Sequence, residues 1–354
     1  MIISRTPFRI SFFGGGTDYP AWYRKHGGSV LVTTIDKYCY LACRYYPPFF
    51  DHRFRISYIK SENCRSVDEI SHPAVRGVLG YLKWERGLEI HHVADLPARG
   101  GLGSSSSFTV GLLHALYGLR GLMRTKAQLT EESVYVEQEV LNETVGSQDQ
   151  TAAAYGGLNH VTFAKNGDIA VRPLTLTAER MAELESHLML FYTGIMRTAS
   201  DVAQSYVDNI EARRNHLEAL CELVNEALAI LHSEQDICAF GRLLDEAWRI
   251  KRSFSSKISN SHVDAIYEAA IEAGALGGKI LGAGGGGFMV LFVPPERQQP
   301  VRRKLKNFIY VPFRFESSGS QIIFFDPEQD FAFLDDERNG GLVQEFRELD
   351  TLAP

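Results

Sequence analysis

The sequence predicts an α+β protein built as two layered domains. Three observations predict it. The first half is dominated by short runs of β-branched and aromatic residues, the second half by long stretches of helical apolar spacing, and 354 residues exceed the usual size of one domain. A hydrophobic fraction of 45% and a charged fraction of 23% suit a folded chain with sizeable cores and exclude a disordered one.

In chain order, "FRISFF" (8–13), "SVLVTTI" (29–35), "YCYLACRYY" (38–46) and "FRISYI" (54–59) read as strands. "AVRGVLGYLKWERG" (74–87) has helical spacing, and "LEIHHVA" (88–94) returns to strand. Helices follow near 104–119 and 126–142, the second capped by Thr125, and "GGLNHVTF" (156–163) reads as a hairpin strand. The second half opens with the strand "HLMLFYT" (187–193) and continues with helical patterns across 199–231, 236–253 and 261–273. Strands at 286–293 and 320–325 flank a helical stretch at 295–307. The pattern breaks at "RPLTLTAERMAEL", near 175–190, which divides the chain into an N-terminal domain (1–180) and a C-terminal domain (181–354). The segment 329–354 is amphipathic and carries no usable motif.

Charge and cysteine usage narrow the function classes. A formal net charge of −6 without a basic run argues against nucleic acid as a partner. The five cysteines form no CxxC pair, which suits free thiols in a reducing compartment. Charges interrupt the apolar N-terminal stretch "MIISRTPFRISFFGGG", so it does not read as a signal peptide, and no apolar run approaches the ~20 residues of a membrane span. The expectation is a cytoplasmic protein with no membrane partner.

Three glycine-rich stretches stand out. "PARGGLGSSSSF" (97–108) runs straight into an apolar helix. Successive amides of Gly100, Gly101, Leu102 and Gly103, followed by the helix N-terminus at Ser104, Ser105, Ser106 and Ser107, would make a concavity for phosphate oxygens. No Lys follows Gly103, so the loop is not of the GxxxxGK[ST] type. The alternative is a flexible connector, but linkers seldom feed directly into an amphipathic helix. "FFGGGTDYP" (12–20) leaves a strand with glycines, Gly15 and Gly16 among them, allowing close backbone approach and Asp18 able to accept hydrogen bonds from a ligand's hydroxyls; a turn capped by Asp18 is the other reading. "GGKILGAGGGGFMVLF" (277–292) places Gly284, Gly285, Gly286 and Gly287 before an apolar strand, either as a tight connection or as a loop lying against a ligand.

Two carboxylates are candidates for chemistry. Along 126–142, with Leu129 as origin and about 100° per residue, Val136, Val140, Leu141 and Val134 share one arc and Glu137 lies near its middle, at about 80°. A carboxylate on an apolar face is costly unless it is paired or holds a cation. Glu131 and Glu139 fall outside the arc and suit a solvated face. In "GSQDQTAAAYGG" (146–157), Asp149 sits in a small-residue loop, where it could equally cap a helix.

Taken together, these stretches resemble the GHMP kinases. "TPFRISFFGGGTDYP" resembles the family's N-terminal substrate motif, "PARGGLGSSSS" its phosphate loop, and "KILGAGGGGF" its C-terminal glycine motif, in the family's order and across most of the chain. Gly15 and Gly16 stand where the galactokinase form carries Glu and His, a departure that argues against galactose as substrate. The stretches "FRISFFGGGTD", "RGGLGSSSSF", "GSQDQTAAAYGGLN" and "YTGIMRTAS" are similar to the bacterial D-glycero-D-manno-heptose 7-phosphate kinase group.

The resemblance implies an α+β N-terminal domain carrying the phosphate-loop helix and a ferredoxin-like C-terminal domain. It implies ATP and Mg²⁺ as cofactors and phosphoryl transfer to the anomeric C1 hydroxyl of a sugar phosphate, feeding GDP-heptose and surface polysaccharide synthesis. In this chain it assigns phosphate binding to Gly100–Ser107, Mg²⁺ to Ser105 and Glu137, and proton acceptance to Asp149 with Arg9 as its partner. Substrate contacts would come from Gly15, Gly16, Thr17, Asp18, Gly285 and Gly286. Apart from the resemblance, "YTGIMRTAS" ends a strand and opens a helix, which would turn Arg197 toward the substrate's phosphate; an N-cap by Thr198 or Ser200 with Arg197 in solvent is the other reading. A free-sugar 1-kinase of the fucokinase or galactokinase kind and a non-catalytic sugar and nucleotide sensor are the alternatives. The partners expected are the two small molecules, for a monomer or a homodimer.

Overall fold

In the computed structural model, which describes residues 1–195, 203–204, 207, 210–255, 257–327 and 331–339, two long strands form the spine of a nine-stranded sheet. They are β1 (Ile2–Phe13) and β2 (Gly28–Tyr45), antiparallel along their length. The sheet runs β13 (Gln321–Phe325), β1, β2, β5 (Leu88–Ala94), β3 (Phe54–Ser57), β4 (Ser61–Cys64). From β2 branch β6 (Asn159–Phe163), with β7 (Ile169–Pro173) beyond it, and β12 (Phe315–Glu316). Among the described residues only the β3–β5 pair is parallel.

The segments 29–35 and 38–46, read from sequence as two strands, are one. Pro7 pairs with Tyr38 while Phe8 pairs with Ile35, so Asp36 and Lys37 bulge out of β2. A polar pair inside a strand looks like a turn in sequence. Here it is held by a distant residue: the Asp36 amide donates to the Arg314 carbonyl, and the Arg314 amide donates to Asp36 Oδ1 at 2.9 Å.

The helices are α1 (Pro20–His26), α2 (Pro73–Tyr81), α3 (Ser104–Leu119), α4 (Lys126–Tyr135), α5 (Gln148–Tyr155) and α6 (Ala178–Ser186), followed by α7 (Arg214–Leu231), α8 (Cys238–Arg252), α9 (Ser261–Glu272), α10 (Gln298–Lys304) and α11 (Ala332–Asn339). Helix α3 lies close on β1 and β2: a Cβ at Gly111 would fall 2.8 Å from Thr6 Oγ1, and Ser4 Oγ donates to the Gly111 carbonyl. No helix among the described residues is long and apolar enough to cross a membrane.

The second sheet consists of β8 (Leu188–Tyr192), β9 (Gly277–Ile280), β10 (Phe288–Phe292) and β11 (Ile309–Val311) in the order β11-β8-β10-β9. With α7–α9 between β8 and β9 and α10 between β10 and β11, this is the β-α-β-β-α-β arrangement of a ferredoxin-like layer. The chain then returns to the first sheet, where β12 pairs with β2 and β13 with β1. The division at residue 180 therefore describes β8 to β11, but 315–325 completes the edge of the N-terminal sheet. Local pattern cannot reveal such a pairing, because the partner lies some three hundred residues away.

The layers meet through aromatic rings. Phe240 of α8 is fully buried and stands edge-on to Phe12 (5.5 Å) and Phe13 (5.1 Å) of β1, with Phe292 of β10 at 6.0 Å. Phe240→Ala should lower stability by about 3–5 kcal/mol, the range for truncating a buried aromatic. Urea unfolding should show an earlier midpoint; an unchanged midpoint would mean that the rings do not couple the layers.

Candidate active site

The phosphate-loop candidate is shaped by left-handed glycines and by the second layer. Gly101 (φ +82°) and Gly103 (φ +74°) occupy a region that residues with a Cβ enter at a cost. Gly103 is the N-cap of α3 and no side chain caps that helix, so the first-turn amides and the positive end of its dipole are left for an anion. Behind the loop lies the third glycine stretch. A Cβ at Gly101 would fall 2.3 Å from the Leu281 carbonyl oxygen, one at Gly287 would fall 2.2 Å from that of Gly100, and the Phe288 amide donates to the Gly100 carbonyl at 2.8 Å. These glycines let two backbones touch.

The same packing corrects the placing of Gly285 and Gly286 at the substrate. Both are buried: the Gly285 amide donates to the Ile258 carbonyl at 2.7 Å, and a Cβ at Gly286 would fall 2.7 Å from Ile195 Cβ. They secure the loop from behind. Arg197 lies outside the described residues.

Arg9 and Asp149 are brought together. From β1, Arg9 donates through Nε to Asp149 Oδ1 (2.7 Å) and through Nη2 to Asp149 Oδ2 (2.5 Å), a two-pronged pairing, while Nη1 donates to the Gly101 carbonyl. A Cβ at Gly103 would sit 3.2 Å from Arg9 Cγ and 3.4 Å from Asp149 Oδ2, so the phosphate loop closes directly over this pair. Arg9 is almost wholly buried, whereas a quarter of the Asp149 side chain is exposed, so the carboxylate is the member open to a substrate. Segment 148–155, read from sequence as a loop, is α5, with Ser147 as its N-cap and Asp149 in its first turn.

Glu137 is fully buried, as the helical arc requires, and Glu131 and Glu139 are exposed. The helix changes character there: residues Val136–Val140 form a π turn, with the Leu141 amide donating to the Val136 carbonyl. The wider turn carries Val140 out to 36% exposure and leaves Glu137 inward. Glu137 Oε2 accepts from Ser106 Oγ (2.9 Å) and Gln150 Nε2 (2.5 Å), while Oε1 is buried without a partner. Desolvation pushes the carboxyl up to about 7, with Thr109, Ser106 and Gln150 beside it pulling the other way.

The serine that meets Glu137 is Ser106 rather than Ser105. Ser105 is exposed, because one residue along a helix is a turn of about 100°. An unpaired carboxylate oxygen with a serine hydroxyl beside it is a donor set suited to a hard cation such as Mg²⁺.

The segment Gly15–Asp18 is folded inward rather than presented to a ligand. Thr17 Oγ1 donates within reach of both the Gly14 carbonyl (2.8 Å) and the Ser29 carbonyl (3.0 Å) and accepts from the Ser29 amide. Gly16 packs on α7, where its Cβ would meet Leu217 at 3.1 Å. Asp18 Oδ1 accepts from the Gly16 amide (2.9 Å), and Oδ2 faces the Gln148 amide (3.4 Å). Asp18 is 1% exposed, and burial raises its carboxyl above the ordinary range. It therefore anchors the loop that presents Asp149, and of the four residues only Gly15 borders unpaired polar groups.

Gln150 and two buried lysines of the second layer, Lys251 of α8 and Lys279 of β9, are not among the residues the sequence singles out. Lys251 had a signal. It continues the apolar stripe Leu244, Ala247, Trp248, just as Glu137 does on its own helix. Lys279, in a four-residue strand buried throughout, had none.

Residues 72–157 match the model of the GHMP kinases N terminal domain, and residues 215–311 that of the GHMP kinases C terminal. The chain is 31% identical over 317 residues to D-glycero-alpha-D-manno-heptose 7-phosphate kinase of Campylobacter jejuni, a match covering 86% of this chain and 93% of that protein. It is 27% identical to L-fucokinase/L-fucose-1-P guanylyltransferase of Bacteroides fragilis, over 85% of this chain and 35% of that protein. The crystal structure of a D-glycero-D-manno-heptose 1-phosphate kinase from Bacteroides thetaiotaomicron superposes with a TM-score of 0.76 at 25% identity, covering 92% of this chain and all of that one.

Asp149→Asn keeps the size of the side chain, removes its basicity and leaves one acceptor oxygen in place of the two that Arg9 grips. Steady-state kinetics should show kcat reduced by about 10²–10⁴-fold with nucleotide affinity preserved. Retention of more than about a tenth of the wild-type kcat would assign Asp149 to positioning alone.

Proposed function

We propose, from the premise that the chain belongs to the GHMP kinases and is an ATP-dependent sugar kinase, that its acceptor is D-glycero-D-manno-heptose 7-phosphate and that the γ-phosphoryl goes to the anomeric C1 hydroxyl. The product would enter GDP-heptose synthesis for surface polysaccharide. The observation that carries the reaction is the half-open Asp149 carboxylate, gripped by Arg9 beneath the uncapped N-terminus of α3. What supports the acceptor is the match to the Campylobacter heptose 7-phosphate kinase, over 93% of that protein's length.

In this reading the triphosphate lies along the amides from Gly101 to Ser106; Ser107, also expected there, is fully buried and its amide donates to the Gly103 carbonyl at 2.9 Å. The C1 oxygen attacks the γ-phosphorus, its proton passes to Asp149, and the bond from phosphorus to the β-phosphate oxygen breaks to release ADP. Transfer of this kind depends mainly on positioning and on neutralising charge spread over the phosphoryl oxygens. Arg9 holds Asp149 toward the loop and adds positive charge beside it. Glu137 Oε1 and Ser106 Oγ are the groups that would hold Mg²⁺. When bound, the ion would neutralise phosphate charge and orient the transferring group.

Glu137→Gln preserves size and removes the anionic ligand. It should raise the Mg²⁺ concentration needed for half-maximal rate and lower kcat while leaving thermal stability intact. A normal Mg²⁺ requirement in this variant would leave Glu137 as the anchor of Ser106 and Gln150 only. A panel of heptose 7-phosphate, fucose and galactose with ATP tests the acceptor. The heptose phosphate should lead in kcat/KM by about tenfold or more. A lead for either free sugar would replace the proposed acceptor with that sugar.

A further inference from the structure

Three polar side chains from three different elements converge on one point beside Gly15. A Cβ placed on Gly15 would lie 3.4 Å from Lys251 Nζ, 3.6 Å from Ser11 Oγ and 3.7 Å from Gln148 Nε2. All three are at least nine-tenths buried: Ser11 is 4% exposed, Lys251 6% and Gln148 9%. Their hydrogen-bonding capacity is largely unmet. Ser11 Oγ and Gln148 Oε1 are buried without partners, and Lys251 makes one long bond, to the Gly282 carbonyl at 3.3 Å. Buried polar atoms are nearly always paired in folded proteins, so a cluster of unpaired ones marks a place where a ligand atom belongs.

The chemistry of the cluster defines that atom. At this point an ammonium and an amide N–H offer donors, and the serine hydroxyl offers an acceptor. A hydroxyl, which both accepts and donates, satisfies this set. Gln148 is the immediate neighbour of Asp149 on α5, so the point lies beside the reacting centre.

We propose that Lys251, with Ser11 and Gln148, forms a subsite for an acceptor hydroxyl adjacent to the one that is phosphorylated, and that Lys251 is its specificity-determining residue. The inference rests on the reading of Asp149 as facing a sugar acceptor. The space exists because residue 15 has no side chain. Lys251 reaches it from the second layer with Asp18 as its buried counter-charge; burial, with Arg9 nearby, holds its ammonium below the ordinary lysine range, and the Asp18 and Asp149 carboxylates oppose that fall. An ammonium in so dry a position gives a strong hydrogen bond to a neutral oxygen, and losing the bond is correspondingly costly.

The test uses the full-length enzyme and whichever acceptor of the panel the wild type turns over best. Lys251→Met should raise KM for that acceptor by about 10- to 100-fold, with KM for ATP changed less than twofold. Ser11→Ala guards against a folding artefact, since it leaves the Lys251–Asp18 pairing in place. It should also raise the acceptor KM, yet leave the melting temperature unchanged or higher, because it deletes an unpaired buried hydroxyl. The acceptor's deoxy analogues, each lacking one hydroxyl next to the reacting carbon, should include one that binds wild type and Lys251→Met equally. Equal acceptor KM in wild type and both variants, or a parallel rise in KM for ATP, overturns the subsite. So does a fall in melting temperature for Ser11→Ala, which would mark a structural water instead. If a free sugar proves the best acceptor, the proposed substrate falls while the subsite is still tested on that sugar. A wild-type enzyme that phosphorylates none of the panel removes both.

Discussion

The Arg9 guanidinium is the contact on which the site depends. It leaves the middle of β1, where strand pairing to β2 fixes the backbone, and its three nitrogens reach two other elements. Two grip Asp149 at the start of α5 and one takes the Gly101 carbonyl, while the Arg9 backbone amide donates to the Leu102 carbonyl at 3.0 Å. A planar, permanently charged fork can define the angle between a carboxylate and a loop in a way that a flexible ammonium cannot. Sheet, phosphate loop and carboxylate are thereby referred to one rigid group.

Close backbone contact supplies the second constraint. The phosphate loop is held between Arg9 in front and the 281–288 stretch behind, and the contacts at Gly101, Gly282 and Gly287 leave no room for a Cβ. The four glycines from 284 to 287 all have positive φ, a conformation that costs other residues about 1–2 kcal/mol each. Their placement against Ile258, Ile195 and Gly100 shows that the expensive sequence serves interlayer fit. The ferredoxin-like layer is thus a template for the phosphate loop as well as a neighbour to it.

Much of this was legible in sequence, for identifiable reasons. Helices α8 and α9 carry clear amphipathic stripes, α3 is a long apolar run behind a glycine loop, and strands β5, β8 and β10 are runs of β-branched, aromatic and other apolar residues; their positions agree with the pattern. Glu137 was legible because a carboxylate on an apolar arc is costly without a purpose. The family resemblance, not local pattern, pointed to the Arg9–Asp149 partnership. The misses share a cause. Helix α5 is small-residue and buried on nearly every side, so it has no amphipathic stripe. The choice between Ser105 and Ser106 turns on a rotation of about 100°, finer than a loop–helix boundary read from sequence. Strands β12 and β13 owe their place to distant partners, and the inward fold of Gly15–Asp18 depends on α7 and the 146–148 loop.

The charges around the reacting centre come from both layers, and this joins stability to activity. Arg9, Asp18 and Asp149 belong to the first layer, Lys251 and Lys279 to the second, and Lys279 Nζ donates to the Phe12 carbonyl of β1 at 3.0 Å. Buried charges are tolerable only in company: removing one partner of such a set typically costs about 3–5 kcal/mol, because the other is left without compensation. Lys251 and Lys279 thus tie the second layer to Asp18 and to the Phe12 carbonyl of the first, so the contacts that join the layers also set the charge beside Asp149. A uniformly apolar junction of the same shape could be as stable, since burying ions is itself costly. It would lack the polar atoms that remain unpaired at Ser11, Gln148 and Glu137. Those atoms lie within a few residues of Arg9, Asp149 or the helix beneath the phosphate loop, where phosphate, cation and acceptor would have to meet. At these three side chains the unmet polarity lies where a ligand can meet it, and the glycine contacts, aromatic rings and cross-layer lysines hold it in place.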